Sequence, residues 1–233
     1  MGNRQAGFTL IEIAIVLVII GLLLGGVLKG QELITGARVR NLIQQQDGVK
    51  AAYFGFLDRY KALPGDYSGA ATNITGATGS GDGDGQIEAG AESILAWEHL
   101  AKSGFINGSY VANGATAPTD ANNPKNPYAG YMQLIYDGLY GTGTSTTPAG
   151  LRHNLKTGPN IPVEIIGELD RKVDDGSPYT GAFQFSPYAG GGTAPTGEGS
   201  GGCVTAAVAG TAPVPAGWNV SGGSANCGGA SLY

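Results

Sequence analysis

The apolar run from Phe8 to Leu28, interrupted only by Thr9 and Glu12, constrains this chain more than any other feature. At about 1.5 Å per residue, a helix of about 20 apolar residues crosses the hydrocarbon of a bilayer. A short polar leader, residues 1–7, precedes the run, so the small residue Gly7 stands before the apolar segment. A secretory signal peptide has the opposite order, with its cleavage site after an apolar core of about 7 to 15 residues. A cut after Gly7 removes only the leader and leaves residues 8–28 on the mature chain as a membrane span.

Glu12 then needs explaining. A carboxylate at mid-membrane costs about 2.5 to 3.5 kcal/mol on insertion scales, less near the interface, and calls for a partner. Cleavage after Gly7 creates an amine on Phe8, which is mostly cationic near neutral pH with a reference pKa of about 7.7 to 8.0. That charge sits at the helix end whose dipole disfavours it. An acid one turn away, in the same chain or in a neighbour, offsets both penalties.

In Gly7, Phe8, Thr9, Leu10, Ile11 and Glu12, and through the apolar helix with Gly21, the sequence resembles the type IV pilin family, including the pseudopilins of type II secretion. The resemblance implies cleavage between Gly7 and Phe8 by a prepilin peptidase, methylation of the Phe8 amine, and Glu12 as the residue that guides assembly. It implies a single-pass protein of the inner membrane that passes into a periplasmic or cell-surface filament. The implied partners are identical or related pilin subunits, the peptidase and the inner-membrane assembly machinery. Many pilins carry a proline where Lys29 stands; here Gly25, Gly26 and Gly30 are the residues that loosen the helix.

Beyond the span, Leu42, Val49, Tyr53, Phe56, Leu57 and Tyr60 recur at helical spacing and predict that the helix continues, amphipathic, over residues 29–61. The stripe reads first as core packing against a sheet and second as a subunit contact. Ala62-Leu63-Pro64-Gly65-Asp66 ends the helix. Residues 62–233 form one head of ordinary domain size. Glycine, 42 of 233 residues against an average share of about 7%, concentrates in stretches such as 77–85 and 190–202, which read as exposed loops. A net charge of -5 with 13% charged residues argues against a nucleic-acid surface.

The two cysteines, Cys203 and Cys227, predict one disulfide in an oxidising compartment. The closed loop stabilises by about 3 kcal/mol in the chain-entropy model. Many type IV pilins close a C-terminal loop with such a bond, which favours a pilus subunit over a pseudopilin. Ser80-Gly81-Asp82-Gly83-Asp84-Gly85-Gln86-Ile87-Glu88 pulls the other way, because it resembles the centre of a calcium loop and some pseudopilins bind calcium. In EF-hand spacing Ser80, Asp82, Asp84, the Gln86 backbone and Glu88 fall at ligand positions. The bidentate acid is displaced by one place to Glu92; the alternative is a flexible acidic turn.

A short helix is expected over 92–105 with Trp97 in the core, strands over 128–140 and 182–185, and a helix opened by Pro162 that stops at Asp174-Asp175-Gly176. The segment from Leu169 to Gly176, with Pro178 and Thr180-Gly181, resembles one found in some large prepilin-like proteins and assigns no role. His99 and His153 sit in no nucleophile or metal motif, and Asp174-Asp175 before glycine reads as a solvated turn, so catalysis is not expected. The whole predicts an α+β chain: a long N-terminal helix packed on a small antiparallel sheet, with glycine-rich loops and a C-terminal disulfide loop. Its expected function is structural, as a subunit of a type IV pilus or pilus-like filament. The alternatives are a type II secretion pseudopilin and a membrane-anchored binding module or adhesin.

Overall fold

One 51-residue helix, α1 (Leu10–Tyr60), carries the apolar run and the amphipathic stretch after it. The computed structural model describes residues 9–142, 148–199, 201–206 and 216–233. The chain divides into two compact units, Met1–Arg38 and Val39–Tyr233.

In the first unit every described residue from Thr9 to Lys29 is exposed. The sequence from Leu10 is long and apolar enough to cross a membrane. In the second unit the same helix turns one face inward. Leu42, Val49, Tyr53 and Phe56 are buried, with Leu57 and Tyr60 half-buried, so the predicted stripe is core. The helix ends at Tyr60, and Lys61 takes a left-handed φ of 52° before Pro64.

The head follows as α2 (Ala70–Asn73), α3 (Ala91–Lys102), β1 (Gln133–Asp137), β2 (Arg152–Lys156), α4 (Val163–Val173), β3 (Phe183–Phe185), β4 (Val204–Thr205), β5 (Gly217–Trp218) and β6 (Gly229–Leu232). Four strands form an antiparallel sheet in the order β1-β2-β6-β3, with Leu134 opposite Leu155 and Ser231 opposite both Leu155 and Phe183. β4 and β5 pair separately. One core packs Val49, Tyr53 and Phe56 of α1 with Trp97 and Leu100 of α3 and Leu134 and Leu155 of the sheet. A second gathers Val39 and Leu42 with Ile166 and Leu169 of α4, Phe183, Phe185 and both cysteines.

α3, α4 and β3 stand where the sequence places them, and the strand expected over 128–140 is shortened to β1. The central strands β2 and β6 carry no usable signal. Arg-His-Asn-Leu-Lys and Gly-Ala-Ser-Leu lack the alternation of a half-buried strand, because β2 ends in three successive buried residues and β6 lies between two others.

Candidate functional site

Thr9 and Glu12 close a reciprocal cap on the first turn of α1. The Thr9 amide and hydroxyl each donate to Glu12 Oε2 at 2.8 Å, and the Glu12 amide donates to Thr9 Oγ1 at 3.3 Å. A hydroxyl residue followed three places later by glutamate satisfies two of the helix's orphan donors in this way. The carboxylate that looked isolated in an apolar run therefore has a local partner, and the sequence contained the Thr-x-x-Glu signal for it. Gly7 and Phe8, the expected cleavage and methylation residues, lie outside the described residues. After the cap, large apolar side chains stand in the open: Leu10 is 88% exposed, Leu17 64% and Leu22 73%.

The acidic loop of residues 80–92 is organised around Asp66. That side chain is buried, and it accepts the amides of Gly83 at 2.7 Å and Asp84 at 3.1 Å on Oδ1 and of Gly85 at 3.0 Å on Oδ2. The loop wraps one carboxylate because Gly83 and Gly85 both adopt positive φ, 82° and 90°. Asp82 Oδ1 takes the Asp84 amide at 3.1 Å, Asp84 Oδ1 takes the Gln86 amide at 2.8 Å, and Glu92 takes the amides of Asp82 at 3.0 Å and Glu88 at 3.2 Å. Ser80 is directed elsewhere, its hydroxyl accepting from the Ala71 amide at 3.0 Å. Asp66, Asp82 and Asp84 each bring an oxygen within 4.8 Å of the others, as do Asp82, Glu88 and Glu92. Burial, and next Glu88, push the Glu92 carboxyl up to about 7; burial raises Asp66 against its three amide donors. Sequence reasoning missed Asp66 because its partners lie 17 to 19 residues away.

Both histidines pack against aromatic rings. His99 is fully buried, its Nδ1 accepts the Gly65 amide at 3.0 Å, and its ring stacks on Phe56. Burial holds its pKa below the usual imidazole value. His153 sits between Tyr53 and Tyr136. Lys156, only 2% exposed, reaches Asp137 Oδ1 at 3.0 Å and the Leu139 carbonyl at 2.9 Å, tying β2 to the end of β1. Burial lowers its pKa against the attraction of Asp137.

Cys203 and Cys227 form the disulfide, with Cα atoms 5.6 Å apart and both residues fully buried. Cys227 also exchanges backbone hydrogen bonds with Ile161, joining the bridge to the approach of α4. The closed segment reaches α4 again through Trp218, whose indole N–H donates to Asp170 at 2.7 Å. Burial first, then Asp175 and Asp174, push the Asp170 carboxyl up to about 6.

No curated protein and no solved structure matches the chain. Residues 2–28 match the family profile described as the prokaryotic N-terminal methylation motif, which takes in Gly7, Phe8, Glu12 and the exposed apolar run. Residues 2–28 thus carry the N-terminal methylation motif, which is type IV pilin-like and pseudopilin-like in character.

Proposed function

We propose that this chain is a structural, non-enzymatic subunit of a type IV pilus or pilus-like filament. A prepilin peptidase cuts it between Gly7 and Phe8 and methylates Phe8, and the inner membrane holds it until assembly. The observation that carries this reading is the methylation motif running directly into an uncovered apolar helix. An exposed apolar surface of this extent costs too much in water to persist, at about 25 cal/mol per Å². Lipid covers it before assembly, and neighbouring copies of the same helix cover it afterwards.

Glu12 pairs with the Phe8 amine of an adjacent subunit. The pairing places a carboxylate against a cation in a low-dielectric bundle, where charge-assisted hydrogen bonds are strongest. The local cap with Thr9 makes the choice of variant important. Glu12→Gln keeps an acceptor for Thr9 but removes the charge, whereas Glu12→Ala removes both. The expected outcome is that both variants are cleaved and neither enters filaments, measured by immunoblot of membrane and sheared fractions. Normal incorporation of Glu12→Gln contradicts the charge pairing and leaves Glu12 as a helix cap.

A type II secretion pseudopilin is the second reading, favoured by the acidic loop around Asp66. The buried disulfide favours the pilus.

A further inference from the structure

Asp170, Asp174 and Asp175 converge where α4 ends, and each offers a carboxylate oxygen within 4.8 Å of the others. Their known partners are all hydrogen-bond donors. Asp174 Oδ2 takes the amides of Ala182 and Phe183, the latter at 2.8 Å. Asp175 takes the Ser177 amide at 2.8 Å and the Thr180 hydroxyl at 2.5 Å. Of the basic residues of the same turn, Lys172 pairs with Glu168 at 2.6 Å and Arg171 is exposed.

A second observation separates this cluster from an ordinary acidic turn. Asp170 is 0% exposed, its Oδ2 is held by Trp218, and its Oδ1, sealed from solvent, has no hydrogen-bond partner. The Gly176 amide favours the ionised form of this carboxyl but closes no hydrogen bond on Oδ1. An unpaired carboxylate oxygen is among the costliest groups to bury, and two further acids beside it add repulsion. In the loop around Asp66, by contrast, backbone amides supply both oxygens of the buried acid.

We infer that Asp170, Asp174 and Asp175 bind one divalent cation of the calcium class, which Asp170 Oδ1 ligates from the buried side. Oxygen-only ligands select a hard cation over zinc or copper, and the irregular spacing of a helix end suits calcium better than the strict octahedron of magnesium. Asp175 is exposed and gives the ion its path from solvent. The ion fastens three elements at one point: the end of α4, the start of β3 through Asp174, and the disulfide-closed segment through Trp218.

Terbium(III) in place of calcium tests it on the full chain in detergent, because Trp218 sits against the site and sensitises terbium emission. Trp97 is the only other tryptophan. The expected result is tryptophan-sensitised emission that calcium displaces. Trp218→Phe loses that emission, and Asp175→Asn, at an exposed position, weakens binding by about ten-fold or more. Calcium raises the melting temperature of the wild-type chain, and Asp175→Asn shrinks that rise. Asp84→Asn leaves all of these signals in place. Absent emission, or emission that survives Trp218→Phe and Asp175→Asn but is lost in Asp84→Asn, overturns the assignment; the latter moves the ion to the loop around Asp66.

Discussion

Within α1, residues up to Leu28 and residues from Val39 onward are both rich in apolar side chains, yet they meet opposite fates. Leu17 and Leu22 stand 64% and 73% exposed, while Leu42 and Phe56 are fully buried. The difference lies in pattern. The first stretch is apolar on all sides, which suits lipid or a bundle of like helices, and the second confines its apolar residues to one face, which suits a folded head. One helix thus carries two kinds of hydrophobic surface, one closed by its own chain and one that needs something else to cover it.

The largest effect that sharpens this contrast is the all-or-none loss of filament incorporation expected for Glu12→Gln. Next comes the core: Phe56→Ala, which removes a ring from among Trp97, Tyr60 and His99, should cost about 3 to 5 kcal/mol. Denaturant unfolding followed by tryptophan fluorescence reads this directly. Replacing both cysteines with serine should cost roughly 3 kcal/mol in the chain-entropy model and free the segment that carries Trp218.

A smaller effect is pH-dependent. The folded pKa of His99 is lowered, so below its unfolded value of about 6.5 the unfolded chain takes up a proton that the folded chain refuses. Its contribution to stability is therefore present at pH 7 and lost as pH falls from about 6.5 towards the folded pKa. Asp170 and Glu92, raised to about 6 and about 7, act in the opposite sense over this range. The His99 contribution is accordingly read as the difference in pH slope between the wild type and His99→Gln, with the variant less sensitive to acid. The smallest effect is expected for Leu22→Ala, which should change head stability by less than about 0.5 kcal/mol. A loss as large as that of Phe56→Ala would break the contrast between the two stretches.

Much of this architecture was legible in the sequence because its signals are local. The apolar run, the Pro162 entry into α4, the Asp-Asp-Gly stop and the paired cysteines each act within a few residues. β2 and β6 escaped because strands buried at the centre of a sheet are defined by their neighbours, and Gly-Ala-Ser-Leu has no pattern of its own. The same distinction runs through the sites. The partner of Glu12 in the structure, Thr9, stands three residues away, whereas the part Asp66 plays depends on amides 17 to 19 residues away and that of Asp170 on Trp218, 48 residues on.

The central claim is that the uncovered helix belongs inside a filament. The most direct measurement is to shear filaments from producing cells and determine the N-terminus of this chain in the sheared fraction by mass spectrometry. The account predicts recovery there, beginning at a methylated Phe8. An unprocessed chain that begins at Met1 and stays wholly with the membrane would contradict it.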